Sequence, residues 1–267
     1  MNTGDIRSAD LPPGTPTPPP SPASPVLRLN ALTARLRRFP ATYGLIGVTV
    51  LVFLAQLVGN QLAGFDVLAG LGAKDNQAIA AGQVWRLVTP LFIHVNILHL
   101  FVNMYSLSAI GPSVERLFGS PRLLVVYLLS GIAGVDLSLA FSPRPSVGAS
   151  GAIFGLLGAL GVFLFLHRRT FGRAGAVQLR QIVIVALLNL GLGLMPGIDN
   201  FGHLGGLLAG AALAWLVGPR LEPIVIEPTH VRLLDRRRWR DVWPRALAAA
   251  AVIALLALAA LHSPLGG

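Results

Sequence analysis

The sequence predicts an all-α polytopic membrane protein with seven transmembrane helices, and three observations carry that expectation. Only 12% of the residues are charged against 54% hydrophobic, with a mean hydropathy of +0.68, whereas soluble domains carry about 25% charged residues. Apolar segments recur at 41–58, 91–110, 122–141, 150–166, 177–195, 201–217 and 246–262. Each is about as long as a helix that crosses hydrocarbon, roughly 17–25 residues. Finally, with the N-terminus in the cytoplasm, all but Lys74, Arg86 and Arg144 of the 21 Lys and Arg fall in cytoplasmic segments. That bias is the positive-inside pattern, and dropping any one helix would scatter it to both sides.

Taken in order, residues 1–40 form a cytoplasmic tail, Pro-rich at 11–25 without apolar periodicity, which predicts disorder. No signal peptide is expected, because the first apolar run begins only near Ala41. The first six segments make a core over 41–218. Between segments one and two, Gly59 to Pro90 is too polar to span and is expected at the membrane interface. Residues 219–245 read as a basic cytoplasmic linker, and 246–267 as the seventh helix with a short outer tail. The net charge of +10 sits between apolar spans, so anionic lipid headgroups are the expected partner on the cytoplasmic side, not nucleic acid. Cysteine is absent, which excludes disulfides and thiolate chemistry.

Ionisable groups within spans are costly and are functional candidates by default. His94, His99 and Asn103 enter the second segment, with His99 and Asn103 one turn apart on one face. Gly148-Ala149-Ser150-Gly151 opens the fourth; alone, such a serine reads as a helix cap. Gly202-His203 opens the sixth, where Gly202, Gly206 and Gly210 form a strip that Gly151 and Gly155 can match. Asp199 reads as a loop residue or cap, and Asp136 as facing a hydrated cavity. The G-x-G-D pattern of aspartyl intramembrane proteases and the H-E-x-x-H zinc motif are both missing, so neither metal nor cofactor is expected.

Depth joins these residues into one site. Segments two, four and six run in the same direction, and Ser150, His203 and His99 precede Arg168, Arg220 and Arg116 by 17 or 18 residues. At about 1.5 Å per residue, all three lie roughly 25–27 Å from the cytoplasmic anchors, a few ångströms below the outer surface of a core about 30 Å thick. Histidine is the side chain suited to activating a serine near neutral pH. His99, Asn103 and the Ser150 amide are donors for the oxyanion of acyl transfer. No third acid is evident, so the expected machinery is a dyad.

In order and spacing, H-x4-H-x3-N, G-x-S-G and G-H-x-x-G-x-x-x-G resemble the signature of the rhomboid family, with Trp85-Arg86 and Glu115-Arg116 as two further matches. The resemblance covers about residues 41–218. It implies a six-helix core, here in the six-plus-one form, and an intramembrane serine endopeptidase acting on single-span membrane proteins near the outer face. It further implies Ser150 and His203 as the dyad, with His99, Asn103, Gly148 and the Ser150 amide around the oxyanion. A membrane-dipping loop would carry Arg86. His94, Trp85, Arg86, Glu115, Gly151, Gly206 and Gly210 are then structural. The implied location is a bacterial cell membrane, with the N-terminus cytoplasmic and the C-terminus outside.

Two rivals are weaker. A transporter using the histidines as a proton relay calls for repeated segments, and none is found. A catalytically dead binder predicts loss of Ser150 or His203, and both are present.

Overall fold

The computed structural model describes residues 34–227 and 230–263, with backbone alone at 225–227 and 230–232. Residues 34–38 are helical and belong to the N-terminal unit. The Pro-rich segment 11–25 lies outside the described residues.

From Phe39 onward the chain forms one compact unit. Its long helices are α1 (Pro40–Ala63), α4 (Ile97–Phe118), α5 (Ser120–Phe141), α6 (Ser150–Leu166), α7 (Arg168–Leu192), α8 (Asn200–Val217) and α9 (Trp239–Leu261). Between α1 and α4 lie two short helices, α2 (Val67–Gly72) and α3 (Asn76–Ala80), and two 3-10 turns at Val84–Leu87 and Thr89–Phe92. Among the described residues, six helices are long and apolar enough to cross a membrane, and α6 is a shorter apolar helix of 17 residues. The chain is an integral, multi-pass membrane protein.

Helix α6 is apolar all round, which marks an interior helix. It is buried along most of its length, from Ala152 to Leu164, and α8, α5, α7 and α4 pack around it. Helix α7 is the least buried of the long helices. It is interrupted at Gly172, whose φ of 51° and ψ of −138° lie outside the helical region. The closest approach is between α6 and α8. A Cβ on Gly206 would collide with the Gly151 carbonyl, and one on Gly210 with that of Gly155. On the other side of α8, a Cβ on Gly205 would stand 2.9 Å from the Ala133 carbonyl of α5.

Several boundaries differ from the expected ones; α7 begins at Arg168, ahead of residue 177, and α9 at Trp239, ahead of residue 246. The second apolar segment does not begin as a helix at residue 91. Pro90 sits in a 3-10 turn, and α4 starts only after Asn96, whose side chain accepts from the His99 N–H. His94 therefore lies ahead of the helix that carries His99 and Asn103. The 219–245 stretch is also more than a linker. It contains an antiparallel hairpin, β1 (Leu221–Glu227) and β2 (His230–Asp235), with Leu221 opposite Asp235. Arg122 at the start of α5 donates at 2.5 Å to Asp235, which also accepts from the backbone of Arg220 and Arg237.

Candidate active site

Ser150 is the first residue of α6, and His203 lies in the first turn of α8. The glycine contacts between these helices leave His203 Nε2 2.8 Å from Ser150 Oγ, within the range for proton transfer between nucleophile and base. The imidazole stacks on the Phe154 ring at 4.5 Å and 13°. Phe154 stands one turn after Ser150 on the same helix, so a single face of α6 presents the hydroxyl and sets the plane of the imidazole. The other ring nitrogen, Nδ1, is buried and has no hydrogen-bond partner among the described residues. Asp199 does not reach it; it caps α8 by accepting from the Gly202 N–H at 2.9 Å.

On the other side of Ser150, the ring of His99 packs against Gly148. Gly148 has a φ of +130°, and a Cβ there would stand 2.7 Å from His99 Cε1. Only glycine combines that backbone with that closeness. The Gly148 N–H donates to the Pro90 carbonyl at 2.8 Å. That N–H is therefore engaged, and Gly148 gives the His99 ring its space. Asn103 is buried, and its Nδ2 donates to the His99 carbonyl at 2.9 Å, leaving its second N–H. The Ser150 N–H lies in the first turn of α6, where amides lack intrahelical partners. Pro90, Val147, Gly148, Ser150, Asp199 and His203 line one cleft. Among the described residues no three His, Asp or Glu side chains converge as a metal site would require.

The outer members of the predicted set lie in two places. Arg86 donates to the carbonyls of Ala73 (2.8 Å) and Gly70 (2.7 Å) and to Gln83 Oε1 (2.8 Å). Trp85 Nε1 donates to the Leu71 carbonyl at 2.9 Å. His94 is fully buried with its ring 5.0 Å from that of His99, and its backbone is bonded at both ends to the Gln56 amide. Glu115 is remote from Ser150, near the other end of α4. Its carboxylate accepts from the N–H groups of Ala41 and Thr42 (both 2.9 Å) and from the hydroxyls of Thr42 and Ser120 (both 2.6 Å). Asp136 stands apart from these. It is buried, it is not among the residues lining the cleft, and neither carboxylate oxygen has a hydrogen-bond partner among the described residues.

Sequence reasoning missed Phe154, Lys74, Thr42 and Ser120. Two of these carried a signal: Phe154 shares a helical face with Ser150, and Lys74 is the only lysine beside 20 arginines.

A Rhomboid domain model matches residues 81–220, more than half of the chain. The chain is 42% identical to rhomboid protease GluP of Bacillus subtilis (strain 168) over 178 residues, 66% of this chain and 34% of that protein. It is 38% identical to RHOMBOID-like protein 6, mitochondrial, of Arabidopsis thaliana, covering 57% of this chain and 50% of that one. It is 37% identical to Rhomboid-like protease 3 of Toxoplasma gondii, covering 58% and 59%. The chain thus spans between a third and three fifths of these relatives' lengths. The matched domain holds both Ser150 and His203 together with the outer residues from Trp85 to Glu115, and the chain belongs to the rhomboid family.

Proposed function

We propose that this chain is an intramembrane serine endopeptidase that hydrolyses single-span membrane proteins near the outer membrane face through a Ser150–His203 dyad. The observation that carries the reading is the 2.8 Å contact between Ser150 Oγ and His203 Nε2. His203 Nε2 takes the hydroxyl proton as Oγ attacks the scissile carbonyl, then returns it to the leaving amine. Water hydrolyses the acyl-enzyme by the same proton path. The oxyanion is held by the His99 ring, the free N–H of Asn103 and the Ser150 amide, with the α6 dipole in support. Phe154 and the glycine contacts hold the imidazole in place. Arg86, Trp85, His94 and Glu115 serve the frame, since their contacts run to backbone and to neighbouring helices.

In this reading the N-terminus and the hairpin are cytoplasmic, where the arginines meet anionic headgroups. The C-terminus is outside, in a bacterial cell membrane. The relatives named as proteases support the same activity.

Cleavage of a generic single-span reporter in detergent tests the proposal. Ser150→Ala and His203→Ala should each abolish cleavage at unchanged Tm, and the double variant should be no worse, because groups that act as a unit are non-additive. Clear residual cleavage by Ser150→Ala would sink the assignment.

A further inference from the structure

Lys74 is the only lysine of the chain, and it is fully buried in the loop between α1 and α4. Its Nζ donates to the carbonyls of Ser142 (2.5 Å), Arg144 (3.0 Å) and Ser138 (3.3 Å). Its backbone pairs with Ser146 in both directions, at 2.9 and 3.2 Å. Two residues further on, the Gly148 N–H meets the Pro90 carbonyl. Residues 142–148, which link α5 to Ser150, thus hang from the α1–α4 loop at three points: Lys74, Pro90, and Asn76, whose Nδ2 also donates to the Ser142 carbonyl at 3.2 Å. An ammonium has three donors, and the C-terminal end of a helix favours a cation. Lys74 spends all three donors where α5 ends and the Ser150 segment begins.

We propose that Lys74 is a positioning residue for Ser150, its ammonium holding residues 142–148 so that Oγ meets His203 and Gly148 stands against the His99 ring. The proposal rests on the serine protease reading above. The charged groups around Lys74 are Asp75 at the head of α3 and Asp199 at the head of α8, both favouring the ammonium. Helix α5 and the segment after it face Lys74 with backbone carbonyls, and Arg86 is turned to Ala73 and Gly70. Burial nevertheless lowers the Lys74 pKa from 10.5 to about 8, the two carboxylates opposing it only in part. Above that pH the amine keeps two N–H donors for three carbonyls and has no charge.

The effect on stability has the opposite sign. Between about 8 and 10.5 the unfolded chain holds a proton at Lys74 that the folded chain has lost, so the contribution of Lys74 to stability rises with pH over that window. A rate that falls there reports geometry at Ser150, not unfolding at Lys74.

The test measures reporter cleavage, fluorophosphonate labelling of Ser150 and Tm for the full chain in detergent, across neutral and alkaline pH. Wild type should show kcat falling on an alkaline limb near pH 8 with KM and Tm maintained. Lys74→Met should lower kcat by about 10- to 100-fold, the scale of a small misplacement at a reacting centre, and should lack that limb. Wild-type kcat in Lys74→Met overturns the proposal. Should that variant not fold, the wild-type profile decides alone, and a rate flat from pH 7 to 10.5 overturns the proposal equally. A wild type that neither labels nor cleaves overturns the protease reading itself, and this proposal with it.

Discussion

Asn103 and His99 show how side chains of one helical face divide their donors. One N–H of the Asn103 amide is held by the His99 carbonyl, which fixes the side chain and aims the other. The His99 ring is set by the space at Gly148 and by the His94 ring behind it. Asn103→Ala or His99→Ala should lower kcat by roughly 10²–10³, the usual cost of one oxyanion donor, while Ser150 still labels with a small fluorophosphonate. An Asn103→Ala enzyme that cleaves at the wild-type rate would leave Asn103 a packing role only. The histidines of this site were legible in the sequence because ionisable groups are expensive in a span, and Ser150, a helix cap when read alone, because it shares their depth. Phe154 was not, since an aromatic in an apolar helix has no such cost. Nor was the commitment of the Gly148 N–H to Pro90, because the identity of a residue does not announce a backbone partner.

At the scale of elements, helices α6 and α8 meet backbone to backbone, and Gly206 lies against Gly151, the residue after Ser150. Gly206→Ala forces a methyl into the Gly151 carbonyl. Such overpacking typically costs about 1–3 kcal/mol, so Tm and cleavage should fall together, and an unaffected Gly206→Ala protein would show the strip to be looser than described. Glu115 ties α4 to the starts of α1 and α5, accepting three hydrogen bonds from Ala41 and Thr42 and one from Ser120. Glu115→Gln sets an NH2 group against donors and removes charge from the N-terminus of α1, at a cost of about 1–3 kcal/mol. Stability and activity should drop in proportion. A Glu115→Gln protein of normal Tm but no activity would contradict this framing role. The seven apolar segments were visible because spanning length is a physical constraint. The start of α4 was misplaced because hydropathy does not distinguish apolar 3-10 turns from helix, and residues 91–93 are apolar in either. The hairpin went unseen because its strands are short and carry Pro223, Arg232 and Asp235, and what orders its ends is the distant Arg122.

The whole molecule sets where a substrate can be cut. Helix α6 has 17 residues, about 25 Å of rise, which falls short of a hydrocarbon core about 30 Å thick. The end away from Ser150 is anchored: His167 Nδ1 bonds the Phe163 carbonyl at 2.8 Å, and its Nε2 accepts from Leu221 at the start of the hairpin at 3.0 Å. Arg168 and Arg169 follow directly. The shortfall therefore appears at the Ser150 end, in keeping with the partly exposed cleft there. In the proposed orientation that end faces outside, and water reaches Ser150 a few ångströms below the surface. A substrate helix arriving sideways presents carbonyls already bonded within the helix, and releasing them in lipid is very costly. Its outer turn must unwind at the cleft before a carbonyl can meet Ser150 Oγ. Substrates should therefore be single-span proteins with Gly, Pro or other weak helix formers near the outer end, cut beside a small residue. Mass-spectrometric mapping of the cut in reporters that differ only in those residues checks this. Cleavage near the cytoplasmic end, or equal cleavage of an all-leucine span, would show that depth does not select the bond.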